Sequence, residues 1–335
     1  MAVAPVGLFF ERKELAEEVE TKDDKTRGAY GRFICLAFLR SDSVTLTSNP
    51  VRPSKSMRTF LVGDAKVSAI NLGDMGFRLK DEDNVPEVEW RPKYSDIFEN
   101  VRPYPSQCFL ITIRDMVVLV DAGDYSRFAK LGPEYVIANY KPPPVLEDQL
   151  REIGVATEDV NYVVITHNHV DHYAGVSVRT DANGDVPTFP RALHLIGKQD
   201  FEAPDTQKAL RDPNSEDSQT IGVLLRKGLL ELVDDGRELS DEVEIIASPG
   251  ETPGHKIVKL ASKGDTLYCV GDLFHHAVEV QNITWMAKWA DHERNLTSRH
   301  RFIESALREN ALMAAAHMPL GRLERNDSGV KFVEV

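Results

Sequence analysis

Short apolar runs separated by polar turns dominate the chain from Met57 onward. Residues 59–62 and 67–72 predict the first strands of a compact domain. Residues 108–113 and 116–121 are paired apolar runs around Arg114-Asp115, which is a β-hairpin pattern. Residues 145–153 place their apolar side chains at helical spacing and stop at Gly154, a natural C-cap. Residues 162–165 and 193–196 read as short buried strands. A second strand-rich block follows at 243–247, 257–261 and 266–270, with Lys263-Gly264-Asp265 as a turn. Residues 298–308 are patterned as an amphipathic helix, 311–316 as a buried strand, and 331–335 as a closing edge. No repeat of fixed period is present. Strands and helices in this order predict an α/β domain in which helices cover sheets.

Residues 1–56 read differently. Positions 11–25 are dense in charge and positions 41–56 are rich in Ser, Thr, Pro and Asn. We read this segment as an N-terminal extension of flexible composition and 57–335 as the folded domain. Across all 335 residues, 40 Lys and Arg face 53 Asp and Glu, a net charge of −13. That charge repels phosphate backbones and anionic lipid, so a small-molecule substrate is expected, without nucleic acid or membrane. Cys35, Cys108 and Cys269 lie far apart and form neither a disulfide framework nor a CxxC knuckle. The longest apolar run, 33–39, is too short to span a bilayer and too far inside to be a secretion signal. A reducing cytoplasmic setting is the expectation.

The chemistry concentrates in ten histidines. Directly after the strand at 162–165 comes Thr166-His167-Asn168-His169-Val170-Asp171-His172. Imidazole nitrogens and carboxylate oxygens are the donors expected for zinc or another borderline metal. His167 and His169, two apart on extended chain, can point at one centre; Asp171 and His172 suit a second one nearby. Two metal positions need further donors. His255 follows the Thr252-Pro253-Gly254 turn, Asp272 follows a strand 17 residues on, and His317 ends an apolar strand 45 residues beyond that. Any one of these could be structural, and His317 alone would suit a satisfied core histidine. Together they make five histidines and two aspartates.

This series resembles the seven-ligand signature of the metallo-β-lactamase-fold hydrolases over roughly residues 57–335. Within that superfamily it is most similar to the branch holding methyl parathion hydrolase and related lactonases and esterases. The features behind that are Thr252-Pro-Gly-His255, Gly271-Asp272-Leu-Phe-His275-His276 and Ala316-His317-Met-Pro-Leu-Gly321. The resemblance implies a four-layer αββα sandwich. It also implies His167, His169 and His255 on one metal, Asp171, His172 and His317 on the other, and Asp272 bridging. Asp121 in Val118-Leu-Val-Asp121-Ala-Gly123 would buttress the site, with Ala122 where the family more often has Thr.

Two divalent ions, zinc first with Mn, Fe or Co as alternatives, would share a hydroxide that attacks an electrophilic carbon or phosphorus. Asp171 would accept or relay a proton. His275, where many quorum-quenching lactonases carry Tyr, could donate a hydrogen bond, or could merely cap a strand end. Phe201, Phe274, Trp285 and Trp289 are candidates for an apolar substrate wall and equally fit the core. The expected activity is hydrolysis of small neutral esters or lactones, with phosphotriesters as a side activity and a homodimer as an option. A glyoxalase II-like thioesterase, and a metal-dependent oxidoreductase or metal-binding sensor on the same fold, are the competing readings. The 83 residues between His172 and His255, and the acidic chain, count against the thioesterase.

Overall fold

In the computed structural model, residues 57–128, 130, 137, 140–180, 184–327 and 329–335 are described. The extension at 1–56 lies outside the described residues.

Two seven-stranded sheets carry most of the regular structure. The first contains β1 (Met57–Val62), β2 (Ala65–Phe77), β3 (Arg102–Ile113), β4 (Met116–Val120) and β5 (Tyr162–Ile165). A separate hairpin, β6 (Ser177–Thr180) with β7 (Gly184–Pro187), precedes its last two strands, β8 (Leu193–Gly197) and β9 (Leu230–Val233). Pairing is antiparallel from β1 to β4 and parallel from β4 through β5 and β8 to β9. The second sheet runs in sequence order: β10 (Gly236–Glu238), β11 (Val243–Ala247), β12 (Lys256–Ser262), β13 (Asp265–Gly271), β14 (Leu312–Ala315), β15 (Gly321–Asn326) and β16 (Gly329–Glu334). Only its β13–β14 pair is parallel, and helix His292–Glu309 fills that crossover.

Both faces of each sheet are apolar, so the strands read as continuous apolar runs and sort their residues by alternation. Val118 and Val120 of β4, Val164 of β5 and Leu195 of β8 face Val258, Leu267 and Cys269 in the core between the sheets. Their neighbours Leu119, Val163, Ile165 and Ile196 pack outward on Leu146, Leu150, Ile221 and Leu224 from the covering helices. On the second sheet, Tyr268, Val270 and Met313 point outward to Phe302, Ile303 and Ala306 of helix His292–Glu309. The layers are therefore helix, sheet, sheet, helix, and the expected αββα sandwich is observed. No described helix is long and apolar enough to cross a membrane. Cys108 and Cys269 are buried free thiols.

Two departures from the sequence pattern have a physical cause. β3 begins at Arg102 rather than Cys108, because Pro103 and Pro105 fall where it pairs with β2 but not yet with β4. An edge position tolerates a residue that cannot donate to a ladder. Helix Glu87–Glu99 also escapes the pattern, since it carries Pro92 inside and breaks helical geometry at Tyr94. It is held by tertiary packing, with Trp90 stacked on Phe98 and both clustered with Trp285.

Leu119 is fully buried on the outer face of the first sheet. Leu119→Ala is expected to lower stability by about 2–5 kcal/mol. Urea unfolding should show a reduced midpoint at unchanged slope.

Candidate metal centre

The donors collect where strands of both sheets end. His167, His169, Asp171 and His172 follow β5, Asp272 follows β13 and His317 follows β14. The segment after β4 is stitched to the His172 turn: Ala122 donates its amide to the His172 carbonyl at 2.8 Å, and Gly175 donates to Ala122 at 2.6 Å. Gly123 is required there, because a Cβ would sit 2.0 Å from the Asp171 carbonyl oxygen. At Gly271 φ is +51°, and a Cβ would press on Thr166 and His255 at under 3 Å. That glycine lets Asp272 turn into the centre.

Asp121 organises the near side. Its carboxylate accepts from the Thr166 amide at 2.8 Å, the Thr166 hydroxyl at 3.0 Å and His172 Nδ1 at 2.9 Å. The Thr166 hydroxyl also lies 3.1 Å from His167 Nδ1. On the far side, His317 Nδ1 donates to the Pro105 carbonyl at 2.7 Å. These bonds occupy the Nδ1 side of His167, His172 and His317 and turn Nε2 of each inward.

Two groups of donor atoms result. One comprises His167, His169, Glu251 and Asp272, and the other Asp171, His172 and His317. His167 Nε2 and His169 Nδ1 are 2.9 Å apart. Asp272 Oδ2 lies 3.6 Å from His167 Nε2 and 3.2 Å from both His172 Nε2 and His317 Nε2. Asp171 Oδ2 is 3.4 Å from each of those last two nitrogens. His172 Nε2, Asp272 Oδ1 and Glu251 Oε2 are buried without a hydrogen-bond partner. Orphaned lone pairs of nitrogen and oxygen, gathered in a buried pocket, fit divalent cations.

Electrostatics point the same way. Burial would raise the pKa of Asp272, but His172, His317 and His167 outweigh it and hold the carboxylate well below its usual range. Asp171 is likewise lowered against burial by His172 and His317. Burial opposes charge on His317, yet Asp272 and Asp171 raise it to about 9. His167 goes the other way, lowered by burial and by neighbouring His172 and His169. The negative groups call for compensating positive charge, and a metal ion supplies it without protonating the ligands.

His255 stands beside the donors, its ring 5.2 Å from that of His167. Its Nδ1 meets the Ser248 carbonyl at 3.1 Å, and its Nε2 receives the Asp272 amide at 3.3 Å. Glu251, four residues earlier, enters the donor cluster and was not singled out from sequence. Its signal was present in Ser248-Pro-Gly-Glu251, a second tight turn just before Thr252-Pro-Gly-His255.

His275 is at the centre, with Nε2 3.4 Å from Asp272 Oδ2 and 3.5 Å from Glu251 Oε1. Glu279 accepts the amides of His275 and His276 at 3.2 and 3.1 Å and pairs with buried Arg299. His276 caps the helix that follows. Of the proposed substrate wall, only Trp289 stands at the donors, its ring 6.0 Å from that of His169 and 6.1 Å from that of His275. Phe274 is fully buried beneath the Arg299 guanidinium, and Trp285 packs on Phe98 with its indole N–H on Glu89. Phe201 packs against the core beneath the first sheet. Side chains adjacent in sequence to Asp272 here face the hydrophobic layer. Tyr104, also unanticipated, lies against His317 at 4.9 Å and donates to the His275 carbonyl.

A sandwich with a His/Asp cluster at its strand ends fits a metal-dependent hydrolase. The chain belongs to the metallo-beta-lactamase superfamily, whose model matches residues 101–317. It is 22% identical to an N-acyl homoserine lactonase from Bacillus sp. over 224 residues, 64% of this chain and 81% of that one. Among solved structures it resembles the hydrolase AbOPH of the beta lactamase superfamily, with TM-score 0.68 and 19% identity over 85% of this chain and 99% of the other. It also resembles AidC, a dizinc quorum-quenching lactonase, with TM-score 0.65 and 20% identity over 84% of this chain and 97% of the other. At such identities the structural likeness speaks for the fold.

Asp121→Asn keeps the shape but weakens its acceptance from His172 and Thr166. The expected result is a loss of about 10- to 100-fold in metal affinity, measured by competition with a chromogenic chelator.

Proposed function

We propose that this chain is a dinuclear metal hydrolase acting on small neutral esters or lactones. The carrying observation is the convergence of two donor groups on one carboxylate, Asp272. His167, His169 and His255 would hold one ion, and Asp171, His172 and His317 the other, with Asp272 between them. Zinc is the first candidate, in keeping with the dizinc lactonase of the same fold. Two bound divalent ions would supply an activated water and polarise the acceptor oxygen of the scissile group.

The chain's own side chains have distinct tasks. Asp171 faces the cleft partly open, with 13% of its side chain exposed, and can accept the proton released in hydrolysis. His275 Nε2 faces the same space and can donate a hydrogen bond to a substrate oxygen. The half-buried Trp289 ring offers an apolar wall beside both His169 and His275. An acidic chain with this wall suits an uncharged ester or lactone better than a polyanion. The lactonase relative supports the lactone class. Phosphotriesters, with a similar electrophilic centre, are a side activity of the same reading.

Metal quantification combined with a panel of lactones, carboxylic esters, thioesters and phosphotriesters tests this. Lactone or ester hydrolysis should vanish with chelator and return with added metal. Asp171→Ala should reduce turnover by at least about 100-fold. Metal-free protein that hydrolyses as fast as the loaded form, or preferential turnover of a glutathione thioester, would overturn the proposal.

A further inference from the structure

We propose that Asp200 is a positioning residue for the first metal position alone: its carboxylate ties the turn bearing His167 and His169 to the turn bearing His255. The inference rests on the dinuclear reading above and deepens it, because the two positions then depend on different supporting groups.

Asp200 is fully buried in the short helix Lys198–Phe201, which follows β8 of the first sheet. It belongs to neither group of donor atoms. Its oxygens are taken up by two loops instead. Oδ2 accepts from the Thr252 hydroxyl at 2.7 Å and Oδ1 from the Gly254 amide at 2.6 Å, so the Thr252-Pro-Gly-His255 turn closes around the carboxylate. The Asn168 amide, between His167 and His169, donates to the same carboxylate. The Asn168 side chain extends the attachment, its Nδ2 donating to the Thr206 hydroxyl at 2.8 Å in helix Pro204–Ala209. A buried carboxylate with this many donors is satisfied without a cation of its own.

The shape of the backbone enforces the same junction. A Cβ on Gly197 would sit 2.0 Å from the Gly254 carbonyl oxygen, and one on Gly254 would sit 2.6 Å from the Asp200 amide nitrogen. Two glycines thus let the end of β8 and the loop between β11 and β12 meet at backbone distance. His167 and His169 follow β5 of the first sheet, whereas His255 precedes β12 of the second. One carboxylate therefore sets the spacing between donors contributed by two sheets. The second position is supported elsewhere: His172 by Asp121, and His317 by the Pro105 carbonyl. Loss of Asp200 should loosen one ion and spare the other.

The full-length protein is stripped of metal and titrated with Co²⁺, with visible absorption recorded and bound metal counted by mass spectrometry of the elements. Wild type should bind two ions per chain. His169→Ala, which removes a donor of the first position, identifies the cobalt band of that position. Asp200→Ala should bind the ion of that band about 10- to 100-fold more weakly and with an altered spectrum, and the other ion as wild type does. Thr252→Val, which removes one donor to Asp200 at nearly constant shape, should weaken the same ion by a smaller factor, and Thr252→Ser should match wild type. Asp200→Ala that weakens neither ion, both equally, or only the other one would overturn the inference and leave the dinuclear reading intact. Wild type that binds no metal would remove both. If Asp200→Ala fails to fold, by circular dichroism, Thr252→Val against Thr252→Ser decides, and equal binding by those two overturns the inference.

Discussion

Asp272 is a buried carboxylate that the rest of the site is built to compensate. A carboxylate this far from water is tolerable only with opposite charge and hydrogen-bond donors around it. Here four imidazole nitrogens lie within 3.6 Å of one of its oxygens, and the other oxygen is left open. The surrounding architecture follows from this demand. His167 and His172 come from the turn after β5 of the first sheet, while Asp272 and His317 follow β13 and β14 of the second. The parallel β13–β14 pair brings Asp272 and His317 out on the same edge. The two sheets are thus joined by charge at one end and by the shared apolar core along their length.

The second ring of contacts keeps those charges from collapsing into alternatives. A histidine free to rotate or change tautomer would present the wrong nitrogen. Asp121, Thr166 and the Pro105 carbonyl restrict that freedom for three histidines, with the Thr166 hydroxyl itself donating to Asp121. On the opposite side Glu279 and Arg299 form a buried ion pair. Arg299 also donates to the carbonyls of Leu273, Ile283 and Trp285, and Glu279 accepts the amides of His275 and His276. Removing either partner would strand a buried charge. The pair ties Leu273, His275, His276, Ile283 and Trp285 together.

How far the sequence could be read depended on whether a feature was local. Thr166–His172 packs four candidate donors into one turn after a strand, so their convergence needs no knowledge of distant contacts. Short strands such as β5 and β8 were legible because both faces are buried and the apolar run has sharp ends. β3 was half-hidden because its prolines sit at an edge, a property of its neighbours rather than of itself. Phe274 and Trp285 show the limit at the site. Both are near Asp272 in sequence, but the turn after β13 sends them into hydrophobic layers, and only Trp289 comes back to the donors. Nothing in residue type separates these three aromatics.

Glu251 and His255 sharpen that limit. Both sit in Pro-Gly turns of the same loop, and histidine is the more familiar metal donor. What separates them is the backbone. The Ser248 carbonyl and Asp272 amide fall on either side of the His255 ring, while no amide reaches Glu251 Oε2. Trp289 adds a constraint of its own, since its indole N–H holds Glu251 Oε1 and its ring stands beside His169 and His275. The residue that would contact an apolar substrate thus also positions a metal-facing carboxylate.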